Sequence, residues 1–218
     1  QTYDIAEKFY SNGSPKVIKT YKETNVKLEL IKKTAWYKDG FKKTVEFYKD
    51  GMLNGKSTAW YNNGQKKEEG NNKDGEKDGK WTRWNKNGQI EYVKNYKDGI
   101  LNGKVIMWSE SGSKLLEENY NNRVLQGKST QWYENGQKSY QGNYENAEQD
   151  GLWTYWYSNG QIKAKTVFTN GYKRVWEKWS ETGKKTIEYY GISNDTILIG
   201  NIQDLSGPLK ELGAVIPS

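Results

Sequence analysis

Trp132-Tyr133-Glu134-Asn135-Gly136-Gln137 returns, 24 residues later, as Trp156-Tyr157-Ser158-Asn159-Gly160-Gln161. Working outward, the same tryptophan stands at Trp36, Trp60, Trp84 and Trp108, a step of 24 residues without a slip. Four residues after each comes a glycine: Gly40, Gly64, Gly88, Gly112, Gly136 and Gly160. Trp179 with Gly183 continues the series after one step of 23, and Phe9 with Gly13 starts it. A fixed period of this length means one supersecondary element copied many times, each copy burying its apolar side on its neighbours.

The punctuation inside each repeat predicts strands. Asn or Asp usually precedes the glycine, as in Asn63-Gly64 and Asn159-Gly160. Asn-Gly between β-formers reads as a type I′ hairpin turn, which needs positive φ at both central residues. Further glycines follow at Gly51, Gly75, Gly99 and Gly171, and at Gly55, Gly79, Gly103, Gly127 and Gly151. Each repeat is therefore expected to run strand, tight turn, strand, longer loop. No interval between glycines is long enough for a helix, and Trp, Tyr and Thr fill them. The expected fold class is all-β: an elongated, single-layer antiparallel sheet of about seven to eight β-hairpin repeats.

Alternation along a strand places Trp156 with Thr154, and Trp153, Tyr155 and Tyr157 on the opposite side. The second strand carries an aromatic twelve residues after the tryptophan, at Tyr48, Tyr96, Tyr120, Tyr144 and Phe168, with Asn mostly one position earlier. The expectation is one continuous Trp/Tyr ladder: Trp36, Trp60, Trp84, Trp108, Trp132 and Trp156 with Tyr96, Tyr120 and Tyr144 as a candidate binding face. Cross-strand aromatic pairs contribute roughly 0.2–1 kcal/mol each, and a series of them adds up in a nearest-neighbour array.

The phrase Trp-Tyr-x-Asn-Gly-Gln, best kept at residues 60–65, 132–137 and 156–161, resembles MORN repeats, in particular the bacterial variant found in antitoxin-annotated proteins. The resemblance covers about residues 9–190. It implies an extended antiparallel sheet used for protein or surface contacts, and no single shared activity. Arg123 and Ala147 stand where glycine is expected, as does Arg174 at a later glycine position, so those loops are expected to differ. Choline- and glucan-binding repeats are also Gly-Trp-Tyr-rich hairpins. The Trp81-Trp84 and Trp153-Trp156 spacings and the Asn-Gly-Gln turns fit the MORN variant better.

Two segments follow from this reading: a repeat array over 1–190 and a tail over 191–218. In the tail the tryptophans stop, and Ile197-Leu198-Ile199 reads as a short buried-type strand before a loop ending in Ser206-Gly207-Pro208. The tail is similar to the start of a periplasmic solute-binding protein of the branched-chain amino acid type. It reads either as a truncated beginning of such a domain or as a cap. That resemblance implies an extracytoplasmic location, periplasm or cell surface, with the cytoplasm as the alternative.

Composition bounds the chemistry. The mean hydropathy of −1.08 would fit disorder, but 31 aromatic residues at periodic sites argue for a thin folded sheet. No apolar run reaches transmembrane length. Zero cysteines exclude disulfides and thiolate metal sites. Zero histidines remove the commonest general base and metal ligand. Asp74-Gly75-Glu76-Lys77-Asp78-Gly79 lacks the alternating ligands of a calcium loop and reads as a turn. Glu68-Glu69 and Glu117-Glu118 are adjacent on strands and point to opposite sides, so neither is an acid–base couple. No catalytic residue, metal or cofactor is assigned, and the chain is read as a non-enzyme.

The net charge is +7, and the array holds 33 basic against 24 acidic residues once the tail's one lysine and three acids are set aside, a net of +9. Because bases and acids are interleaved, the lysines are read as edge protection and solvent cover, and nucleic acid is disfavoured as a partner. The function expected is an interaction scaffold for a protein partner or a second copy. The alternatives are a module for glycan or anionic lipid, neutralisation of a partner toxin, and an extension of a transport protein.

Overall fold

The computed structural model describes residues 1–169, 171–190, 192–193 and 196–197. The tail readings at Leu198-Ile199 and Ser206-Gly207-Pro208 lie outside the described residues. Among the described residues all regular structure is strand. By internal contacts the chain divides into two compact units, the first Gln1–Lys114 with Tyr120–Arg123, the second Leu115–Asn119 with Val124 onward.

The first unit holds β1 (Thr2–Phe9), β2 (Pro15–Glu23), β3 (Leu28–Trp36), β4 (Lys42–Lys49), β5 (Met52–Leu53), β6 (Gly55–Trp60), β7 (Lys66–Lys73), β8 (Glu76–Trp84), β9 (Ile90–Lys97) and β10 (Ile100–Trp108). These pair antiparallel in chain order, hairpin after hairpin. β11 (Lys114–Asn121) begins the second set, followed by β12 (Val124–Leu125), β13 (Gly127–Trp132), β14 (Lys138–Glu145), β15 (Glu148–Trp156), β16 (Ile162–Thr169), β17 (Tyr172–Trp179) and β18 (Lys185–Tyr190). They repeat the same antiparallel meander. A small separate ribbon joins β19 (Ile192–Ser193) to β20 (Thr196–Ile197). The all-β hairpin expectation holds within each unit.

The turn chemistry is the reverse of the sequence reading. At Tyr61-Asn62-Asn63-Gly64-Gln65 the Gly64 amide donates to the Tyr61 carbonyl at 3.1 Å and the Tyr61 amide to the Gln65 carbonyl at 2.8 Å. Of the Asn63-Gly64 pair only Gly64 takes positive φ, at 83°. That is a type I turn closed by a left-handed glycine, not a type I′ turn. The type I′ turns sit where the longer loop was expected. Asp74-Gly75, at φ 50° and 92°, separates the paired residues Lys73 and Glu76, and Asp50-Gly51 and Asp98-Gly99 do the same in their repeats.

Arg123 and Ala147 do not make different loops, as the sequence reading expected. They keep the glycine conformation at φ 70° and 66°, behind Asn122 and Asn146 at 49° and 52°. The paired strands on either side force the turn, and the side chain bears the strain. Arg174 falls within the continuous strand β17, beside a register shift between Val167 and Phe168.

Other glycines lie in bulges. Gly79 and Gly151, at φ 72° and 67°, lie in stretches where β8 and β15 carry extra residues against β7 and β14. A second register shift sits at the hairpin tryptophans, as between Arg83 and Trp84, where Glu91 is the extra residue on β9 after the turn. Each bulge bends the ribbon and changes which side the next residue faces.

Candidate functional site

The register assigns the two sides of the sheet. In β8, Trp81 and Arg83 pair with Lys94 and Tyr92, while Gly79 pairs with Tyr96. Trp81, Arg83, Tyr92, Lys94 and Tyr96 therefore share one side, and Thr82 and Trp84 lie on the other. Side-chain contacts agree: Lys77 Nζ sits 3.8 Å from the Trp81 ring centre and 5.5 Å from that of Tyr96. In the second unit Tyr144 packs edge-on to Trp153 at 5.0 Å, and Tyr140, Tyr155 and Phe168 surround the same indole.

The single Trp/Tyr ladder expected from the sequence is therefore split. Trp36, Trp60, Trp84, Trp108, Trp132 and Trp156 line one side of their strands. Tyr96 and Tyr144, and Tyr120 at the equivalent position of β11, belong to the other. The physical reason is the bulge after each tryptophan, which inverts the alternation assumed in counting twelve residues forward.

The tyrosine side is a packed surface. Trp153 is 1% and Trp81 6% exposed. Each indole lies flat on a glycine of the preceding strand, Gly142 and Gly70, where even a methyl group would collide with the ring. Its Nε1 donates to a main-chain carbonyl, Asn143 at 3.0 Å or Asn71 at 2.9 Å. Ion pairs cross this side: Lys33 with Glu46 at 3.2 Å, Lys77 with Glu68 at 3.1 Å and Lys19 with Glu7 at 2.7 Å. Partial burial, then the Glu46 carboxylate that accepts its proton at 2.9 Å, pushes the Tyr48 phenol up to about 12. These glycines and inner tryptophans carry no signal in the 24-residue phrase. The Trp81-Trp84 spacing was visible, but the glycines beneath were not.

The tryptophan side is open and basic. The periodic indoles are half-buried, with buried Thr34, Thr58 and Thr82 in their strands. Between them the register places Lys32, Lys56, Lys80 and Lys104 in the first unit, and Lys66 reaches across to stand 5.6 Å over the Trp84 ring. Lys128 and Lys138 repeat this in the second unit, Lys138 lying 5.6 Å over Trp156. Glu69 sits among these bases, bridged to Lys56 at 3.1 Å and Lys66 at 2.9 Å. Partial burial opposes its ionisation, but the two lysines outweigh that and hold its carboxyl below the ordinary value. A groove lined by Lys56, Glu69, Asn71, Lys80, Thr82 and Trp84 opens on this side.

The structural glycines and their neighbours form a third feature, along the hairpin ends. Tyr61 Oη donates to the Trp84 carbonyl at 2.8 Å, and Tyr37, Tyr133 and Tyr157 do the same to Trp60, Trp156 and Trp179. The Asn63 side chain accepts from the Gln65 amide at 3.1 Å and donates to the Lys86 carbonyl of the next turn at 3.1 Å. Asn135 and Asn159 repeat both bonds. Gln89 and Gln137 side chains press against Gly112 and Gly160 of the following turn. The phrase Trp-Tyr-x-Asn-Gly-Gln is thus a stacking device for hairpin ends. Among the described residues no group of three or more His, Cys, Asp or Glu side chains is placed to hold a metal.

Residues 53–74, 77–98, 125–146 and 149–170 match the MORN repeat variant model. The chain carries MORN repeats. The first three MORN matches each run from one type I′ turn to the next, and the fourth begins after the Asn146-Ala147 turn. The first and third matches begin at 53 and 125, and the second and fourth at 77 and 149, so the best-kept repeats recur every third copy. Gly70 with Trp81 and Gly142 with Trp153 follow that same spacing. MORN repeats are generally protein- or membrane-binding modules of a non-catalytic repeat type. No helix of the described residues is long and apolar enough to cross a membrane. A comparison with curated proteins finds no match.

Proposed function

We propose that this MORN array is a recognition scaffold that holds an extended, negatively charged partner on its tryptophan side. The observation that carries this is the segregation of charge. Carboxylates on the tyrosine side are engaged by lysines across the strands, as in Lys33–Glu46 and Lys77–Glu68. On the tryptophan side around Trp84, Lys56, Lys66 and Lys80 outnumber Glu69 and Asp78, an excess of bases beside half-buried indoles. A basic surface with aromatic platforms draws in anions by long-range attraction and then holds them by contact. This departs from the reading of the lysines as edge protection and solvent cover.

Retention of the full chain on an immobilised polyanion, eluted with salt, tests the proposal. Wild type should elute late and shift earlier as salt rises. The double variant Lys56→Glu with Lys80→Glu should pass through, with its sheet circular dichroism intact. Equal retention of the two proteins would reject the proposed side.

A further inference from the structure

Resting on that reading, we infer that the anionic partner is a linear acidic polysaccharide, seated with its sugar rings on the tryptophan row and its acid groups on the lysine row. The groove at Trp84 supplies the local chemistry. It measures about 390 Å³, within the range of small-ligand clefts. Its lining combines the half-buried Trp84 indole, with the mobile-stemmed Lys66 ammonium 5.6 Å from the ring centre, the exposed lysines Lys56 and Lys80, and the polar side chains of Asn71 and Thr82. A flat apolar platform beside hydroxyl-bonding groups and fixed cations suits a ring that is apolar on its C–H face, polar at its rim and charged at one substituent. Glu69, already bridged to Lys56 and Lys66, can accept a hydroxyl proton while leaving the lysines in excess.

Spacing chooses the polymer. The platform recurs once per hairpin, at Trp60, Trp84 and Trp108 in the first unit, with Lys56, Lys80 and Lys104 beside it. Neighbouring strands stand about 4.8 Å apart, so the hairpin repeat is about 10 Å. An extended peptide presents one side every second residue, at about 7 Å, and nucleic-acid phosphates come at about 3.4 Å per strand along a duplex. Neither keeps step with the rows. A chain of equatorially linked acidic sugars turns the same ring face to one side every second sugar, at close to the hairpin spacing. A lipid surface has no fixed repeat and gains nothing from one.

Titration of the full chain with a hexamer of β-linked mannuronate, followed by tryptophan fluorescence at low ionic strength, tests the inference. A saturable change is expected, weaker by about tenfold in Lys80→Gln, an exposed substitution that leaves the sheet intact. Trp84→Phe should bind more weakly with unchanged circular dichroism. A neutral hexasaccharide should not bind. If polyglutamate of equal charge binds as well as the sugar, the polysaccharide assignment falls while the basic face stands. If phosphatidylglycerol vesicles are captured and the hexamer is not, the partner is a membrane and the inference falls. If no polyanion binds at all, both the inference and the proposed function fail.

Discussion

At the scale of the residue, glycines without a turn to make are as constrained as those in turns. Gly70 and Gly142 have ordinary φ values, yet each is the bed of a buried indole. Gly142→Ala should lower stability by about 1–3 kcal/mol in urea unfolding, because Trp153 must leave its rotamer or its carbonyl partner. The opposite sign is expected at Ala147, held at φ 66°. Ala147→Gly relieves the left-handed strain of roughly 1–2 kcal/mol but adds freedom to the unfolded chain, for a net gain of about 0.5–1 kcal/mol. Tyr48 gives a pH signature. Its folded value of about 12 lies above the unfolded phenol at about 10, so its contribution is complete below pH ~10 and disappears as pH rises through ~12. In alkaline absorbance titration Tyr48→Phe should remove one of the late-titrating phenols. Across the same window the stability difference between the two proteins should shrink.

At the scale of the element, the hairpin ends are tied to one another by side chains rather than by main-chain ladders. The Tyr61 hydroxyl to the Trp84 carbonyl is one such tie, at 2.8 Å. Tyr61→Phe should cost about 0.5–1.5 kcal/mol and loosen the hairpin that ends at that carbonyl, readable as faster amide hydrogen exchange around residues 84–89. The existence of these hairpins was legible in the sequence, because left-handed positions demand glycine and the period repeats the demand. Turn type was not. Asn63-Gly64 and Asp74-Gly75 look alike as dipeptides, yet in the first the asparagine side chain caps its own turn and reaches the next. What separates them is the number of residues between the last strand pairs, which a dipeptide does not record. Facing was half legible: alternation correctly opposed Trp153 to Trp156 within β15, and failed only where counting crossed a bulge.

At the scale of the whole molecule, the chain consists of copies whose stability rests on neighbours, so substitutions in a repeat should be felt mostly in the hairpins that flank it. The lysine rows were present in the sequence at Lys56, Lys80, Lys104 and Lys128, but their grouping beside the tryptophans required the register. Both the packing and the proposed binding depend on one division: within each unit the indoles form two populations on opposite sides of their strands. Hydrogen exchange of the indole N–H groups, resolved by two-dimensional nitrogen–proton NMR, measures this division directly. Trp81 and Trp153, which donate to Asn71 and Asn143 at 2.9 and 3.0 Å, should exchange far more slowly than half-exposed Trp60, Trp84 and Trp156. Uniform exchange across these indoles, or slower exchange at Trp84 than at Trp81, would contradict the two-sided sheet.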